Sequence, residues 1–591
     1  MFKRFLVLFL AAAVVSCTGQ SPEPKLNRVS LQKAKIILND ALLTEILLQP
    51  DAASRAGISE FGLTQKDARL HDASLAGFER ARLIRLDLLK QLRQAPELPS
   101  DHPVARDLNL LNDAYSRLRI AQQIGQGRQS LSGVAPFPAD AYGGAWIEGL
   151  QLLDAIHRVT SLADAQNYNL RVNALADAVN DTKRRFLADA LTGSIPPKNV
   201  LRDLKAQIDQ LTSAPSNTLD NIVEDLESLV LSVADADTND RRQIVAQTAY
   251  LVETKLRPAY LELSNTLADL IDIAPDQPGS WMQASDLDVY SLLLAWHLGD
   301  ERPDIDSLHR QNLELTDERL VALENAILNA DWEKPPQANR FTVLDQQYQL
   351  RPDTRIFSPV PIITRTSLPE AKLALTGTAY LPAALDQSRP EMLFVNTRQL
   401  DLWPGWIRDL LTGETYHAPE ITMSAQTFSA AERTQLRYLV SFSDFHNGWI
   451  SDQQFQTAVD SPTATWTALA WRHWLLIEAA LASADTGINF DQWTEDYAVG
   501  FLTNNAGLSD QLAIEAIAYI ASYPGQFSAR VAGARQINSL RVRSRSKLSG
   551  AYSERAFQQQ VLTGGDRPME IVDQDIARWH DGLLAEQAAL P

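Results

Sequence analysis

The sequence predicts a mostly α protein: a large, two-lobed helical body with one small β-sheet. Three observations carry this. Stretches such as LQKAKIILNDALLTEILLQ (31–49) and GFERARLIRLDLLKQLRQ (77–94) space their aliphatic residues at three and four, the period of a helix with one buried face. Runs rich in β-branched and aromatic residues, split by Pro and Gly, cluster between about 340 and 400. At 591 residues the chain is too long for one simple core, yet it shows no solenoid repeat and no low-complexity segment.

Taken in order, residues 1–16 read as a signal peptide. Lys3 and Arg4 precede an apolar run from Phe5 to Val15, too short to span a membrane, and the run ends at Val14-Val15-Ser16-Cys17. That ending resembles a bacterial lipobox, which implies lipidation of Cys17, the chain's one cysteine. No acid stands at the second position, since Thr18 follows, and this resembles sorting to the outer membrane, facing the periplasm. Residues 17–28 form a tether. Residues 29–332 form a helical N-terminal region, broken at PELPSDHP (96–103), GVAPFPADAYGG (133–144), GSIPPK (193–198) and APDQPGSW (274–281). Thr316 with Glu318 looks like a helix start, with acid in the first turn. Residues 333–405 hold the small sheet, with strands expected in FTVLDQQYQL, RIFSPVPIITRT, LALTGTAYL and MLFVNT. Residues 406–591 return to helical periodicity.

The formal net charge is -19, and losing Lys3 and Arg4 makes the mature chain more acidic still. An acidic chain lacks the basic footprint that neutralises phosphates, which excludes nucleic acid as a partner. It also disfavours docking on anionic lipid, so the membrane contact is the lipid anchor alone. Hydrophobic content of 45% with 21% charged residues fits a folded chain.

The segments ARLHDASLAGFERAR, LRPAYLELSNTL, LHRQNLELTDERL, AYLPAALDQSRPEMLFVNT, ADTGINFDQWTEDYAV, YPGQFSARVAGARQINSLR and AFQQQVLTGGDRPMEIV occur in this order. Together they resemble the bacterial domain-of-unknown-function family numbered eight-eight-five. The resemblance implies an exported lipoprotein on a helical zinc-peptidase (gluzincin-like) scaffold, with a small sheet beside a long groove. The family's metal motif resembles T-Y-H-E-x-x-P-G-H-H-x-Q. Here TYHAPEITMSAQ (415–426) keeps Thr415, Tyr416, His417 and Gln426, but puts Ala418, Met423 and Ser424 where the motif has Glu, His and His. The pattern E-G-W-A-L-Y-A-E falls on 447–454, where Asn447 and Gln454 replace the glutamates and Gly448 and Trp449 remain. P-G-Q-x-x-x-Y keeps Pro524, Gly525 and Gln526 and has Arg530 at the tyrosine. D-T-G-x-H ends in Asn489, and the final F-H becomes Phe557-Gln558.

Catalytic zinc takes three protein ligands plus a water whose pKa it lowers to about 7, and a nearby carboxylate accepts the proton. Ala418 cannot be that base, Met423 is a poor zinc ligand, and Asn447 and Gln454 offer neutral oxygens. The expectation is a scaffold kept and metal chemistry lost: no catalytic residues and no cofactor. The groove candidates are Met423, Asn447, Trp449, Gln454 and Arg530. The alternative is a rebuilt zinc site drawn from His417, Glu420, Asp444 and His446. Ser544-x-x-Lys547 formally matches a serine-acyltransferase tetrad, but no K-T-G accompanies it. The basic island of Arg530, Arg535, Arg541, Arg543, Arg545 and Lys547 reads either as a face paired with acidic neighbours or as an anion site. Trp466, Trp471 and Trp474 are core or groove. The expected partner is a peptide or an envelope protein, held without being cut.

Overall fold

The computed structural model describes residues 26–589 except 59–63, 126, 214–217, 284–286, 331–339, 350–356, 367, 369–370, 429–433 and 463–464. The signal segment and Cys17 lie outside the described residues. Helices Arg28–Leu48, Leu75–Arg93 and Pro103–Ala121 open the fold. Their starts follow from local chemistry: the side chains of Asn27, Ser74 and His102 each accept a backbone N–H of the first turn. Strands β1 (Arg128–Gln129) and β2 (Val134–Ala135) then form an antiparallel hairpin. Helices Leu162–Leu191, Lys198–Thr212, Thr218–Val230, Thr238–Leu251 and Arg257–Ile273 follow; GSIPPK separates the first two, and a π-helical turn, Val252–Leu256, joins the last two.

The small sheet lies where β-branched residues cluster. It consists of β3 (Ile363–Thr366), β4 (Thr378–Leu381) and β5 (Met392–Val395), with β5 central, parallel to β3 and antiparallel to β4. FTVLDQQYQL is not a strand. It belongs to the helix Arg340–Gln349, and Phe341, Leu344 and Tyr348, spaced three and four apart, pack on one core. Thr316 does not start a helix either. The helix runs Ile305–Asn329, capped by Asp304 on the Ser307 N–H, and the Thr316 hydroxyl donates back to the Asn312 carbonyl at 3.0 Å.

Three large apolar cores hold the molecule together. One joins Ala34, Leu111 and Tyr115 of the first helices to Met423, Phe445, Trp449, Phe557 and Ile576, so the two ends of the chain share a core. A second holds Trp403, Trp406, Trp471, Trp474 and Trp493 with the sheet. The third is the bundle built on 145–274, around Trp146, Tyr168 and Tyr260. Among the described residues, no helix is long and apolar enough to cross a membrane.

One crossing positions the site. Helix Ser443–Asp460 packs against helix Gln526–Leu548 with Gly448 facing Gly533. A Cβ on Gly533 would overlap the Asp444 carbonyl oxygen, so the backbones meet this closely only with glycine.

Candidate functional site

His417 lies on helix Glu414–Phe428 and is 2% exposed. Its Nε2 is 2.9 Å from the Leu411 carbonyl, which can only accept, so Nε2 carries the proton. Nδ1 has no hydrogen-bond partner and stands 3.9 Å from Glu420 Oε2. Met423, a groove candidate, is buried in the first core, while Ala418 is exposed. Trp449 is buried in the same core, and its indole N–H donates to the Pro419 carbonyl at 3.3 Å.

Helix Ser443–Asp460 carries the next candidates. Asp444 is buried, with Oδ1 accepting from Arg117 at 3.1 Å and Oδ2 unpartnered. Burial raises its pKa more than Arg117 lowers it. His446 Nδ1 is 3.4 Å from Asp566 Oδ2. Burial opposes its charge, but Asp566 outweighs that, and its pKa is raised. A zinc site needs ligands that converge. Each candidate turns to a different partner: Arg117 for one oxygen of Asp444, Asp566 for His446, Leu411 for one nitrogen of His417. Among the described residues, the one set of three His or acid groups whose ligand atoms lie within 4.8 Å of one another is Asp51, His71 and Glu148. The motif candidates His417, Glu420, Asp444 and His446 form no such set among the described residues.

Gln454 and Arg530 stand inside the fold. Arg530 Nε donates to Glu478, and Nη2 donates to Gln454 Oε1 at 2.9 Å. The Ser451 hydroxyl donates to the other Glu478 oxygen at 2.7 Å, and Trp474 donates to Gln454 Oε1 at 3.2 Å. Gln454 in turn donates to the Tyr416 carbonyl at 3.3 Å. The position that the resemblance gives to a tyrosine thus carries a partly buried, internally neutralised arginine.

Apart from Arg535, which donates to Asn312 Oδ1 at 3.4 Å, the basic island is paired with acidic neighbours. Arg541 meets Asp452 and Glu554, Arg543 meets Asp573, Arg545 meets Glu554, and Lys547 meets Asp581. Lys547 is thus engaged by Asp581, while Ser544 is fully buried, donates to the Leu540 carbonyl at 2.7 Å and lies 2.9 Å from His580 Nε2. The tetrad does not assemble. Trp471 and Trp474 are buried and Trp466 packs on the same core.

Asn447 and His446 instead line a cavity of about 900 Å³ whose opposite wall comes from the N-terminal half of the chain. Its residues include Asp51, His71, Arg128, Glu148 and Arg185, together with His297, Ser443, Asn447 and Tyr523. His71 Nδ1 lies 2.8 Å from Asp51 Oδ2. Burial works against both charges, yet their attraction wins, holding Asp51 at about 2 and raising His71 to about 9. Arg128 is neutralised by Asp140 at 2.6 Å. His297 Nδ1 meets the Ser443 hydroxyl at 2.9 Å, and burial lowers its pKa to about 3, so it is neutral. Sequence reasoning missed the N-terminal wall. The one signal was His71 inside ARLHDASLAGFERAR; nothing local ties it to Asp51 or Glu148, which arrive from other helices.

Comparison with known proteins adds the following. The family model described as "Bacterial protein of unknown function (DUF885)" matches residues 50–354 and 342–576. A crystal structure of a candidate lipoprotein from Colwellia psychrerythraea is similar with a TM-score of 0.82 and 18% identity, covering 94% of this chain and 100% of that one. A candidate lipoprotein of unknown function from Shewanella oneidensis is similar with a TM-score of 0.61 and 14% identity, covering 92% and 99%. At such identities the likeness is one of fold. No curated protein matches the chain.

Proposed function

Because the chain belongs to the bacterial family of unknown function DUF885, we propose that it is an envelope lipoprotein whose zinc-peptidase-like scaffold holds a peptide or a partner protein without cutting it. The observation that carries this reading is a contrast at one place. Arg530 and Gln454 are spent on internal partners in the Arg530–Glu478–Gln454 network, while a cavity of about 900 Å³ opens beside Asn447. A space of this size suits a few residues of an extended chain. Anchoring through Cys17 at the outer membrane, facing the periplasm, is supported by the lipobox-like VVSC and by the descriptions of the similar lipoproteins.

The test is to purify the mature protein from its own envelope and identify what comes with it. Peptides or one envelope protein are expected at stoichiometric amounts, with no chelator-sensitive cleavage of added peptides. In the same strain, Cys17→Ser is expected to move the protein from the membrane to the soluble fraction. One observation favours a second reading, a divergent hydrolase using His417, Glu420 and His446: the unpartnered Nδ1 of His417 stands 3.9 Å from Glu420. Cleavage that chelators stop and His417→Ala abolishes would establish that reading and end the binding-only one.

A further inference from the structure

We infer that Asp51, His71 and Glu148 form a site for a divalent first-row metal ion, of the zinc or manganese type, in the N-terminal wall of the cavity. The three residues come from separate elements: the first turn of helix Pro50–Ala56, the segment before helix Leu75–Arg93, and helix Ala145–Gln151. One ligand atom of each lies within 4.8 Å of the other two, and all three residues line the cavity.

A surface cluster of acids would carry no such inference; the difference here is Asp51. It is only 9% exposed, and its Oδ1 has no hydrogen-bond partner although Oδ2 meets His71. A buried acceptor left unmade costs about 1–3 kcal/mol, and an ion would satisfy it. Glu148 is held in place by the Gly144 N–H on Oε1 at 2.9 Å, which leaves Oε2 to turn to an ion. Once the ion displaces the proton shared between His71 and Asp51, two carboxylates and one imidazole balance a divalent charge, and the mixed oxygen and nitrogen set suits zinc or manganese rather than a thiolate-seeking ion. The cations on the same wall set the strength. Arg128 is neutralised by Asp140, but Arg185 meets the Gly127 carbonyl and lies over the Phe78 ring, with no ion pair among the described residues. Its charge makes binding weaker than at a closed structural zinc site. Three protein ligands leave positions open toward the cavity. A carboxylate or carbonyl of a bound peptide would complete the shell there, a step that rests on the binding role proposed above.

The mature protein, stripped with a chelator, is titrated with zinc and separately with manganese, and bound metal is counted after gel filtration. One ion per chain is expected. Glu148→Gln and His71→Ala should each weaken binding at least about tenfold, and His417→Ala should leave it unchanged. Glu148→Gln keeps the side-chain volume and the acceptor for Gly144, so its fold is secure. The ion should raise the Tm of the parent protein and not that of Glu148→Gln. Failure of the parent protein to retain an ion overturns the site, as does binding that survives both cavity variants. An ion lost only in His417→Ala overturns it too, and overturns the loss of motif chemistry with it. Peptides that still co-purify without any ion would overturn this inference while leaving the binding role standing.

Discussion

Around Arg530, charge is buried and closed: the guanidinium, Glu478, Ser451, Gln454 and Trp474 form one network in which both Glu478 oxygens have donors. Around His71, on the N-terminal side of the cavity, charge is buried and open. Asp51 Oδ1 and Arg185 Nε have no partners, and His71 itself remains partly exposed. The first arrangement exports no chemistry, because a satisfied ion pair gains nothing from a ligand. The second leaves polar groups whose desolvation is not offset within the chain, and such groups mark places where something else binds. In this molecule, Gln454 and Arg530 belong to the closed region and the Asp51–His71 wall is the open one, while His417 and Asp444 each keep one unpartnered atom.

Three perturbations test that contrast. Arg530→Ala strands Glu478 inside the core and should cost about 3–5 kcal/mol in urea unfolding, the penalty for a buried charge robbed of its partner. Removing Glu478 as well should return a good part of it; if the single change costs under 1 kcal/mol, the network is not what closes the motif region. Glu148→Gln should do far less to the metal-free protein, under about 1 kcal/mol, since the Gly144 hydrogen bond survives. A larger loss would mean that the open wall is structural after all. The smallest effect belongs to His446. Its pKa is raised in the fold by Asp566, so its contribution is fully present below the unfolded value of about 6.5 and fades as pH rises through the folded one. The parent protein should therefore lose slightly more stability between pH 6 and pH 8 than His446→Gln. Equal losses would show that the Asp566 contact is not formed in solution.

Reading helices from the sequence worked where an apolar stripe repeats, as in 77–94, and where Pro and Gly interrupt it, as at 96–103. It failed at FTVLDQQYQL, where β-branched and aromatic content outweighed the spacing of Phe341, Leu344 and Tyr348. Composition describes side chains, whereas spacing describes which face meets the core, and here the face decided. Thr316 misled for a related reason: a hydroxyl that can cap a helix can equally bond back within one, as it does to Asn312. The site was half legible. That Ala418, Met423 and Gln454 lack ligand chemistry follows from their side chains alone. That Met423 fills a core, and that Asp444 and His446 turn to Arg117 and Asp566, required partners far along the chain.

The sequence by itself determined the helical class, the place of the small sheet, the family, and which residue types stand at the motif positions. These are properties of residue type, order and local spacing. Only the tertiary structure decided where usable charge lies, because His71, Asp51 and Glu148 are separated by up to two helices in sequence and meet across one cavity wall. Convergence of that kind is fixed by how the cores pack, and neither a residue's type nor its neighbours in the chain record it.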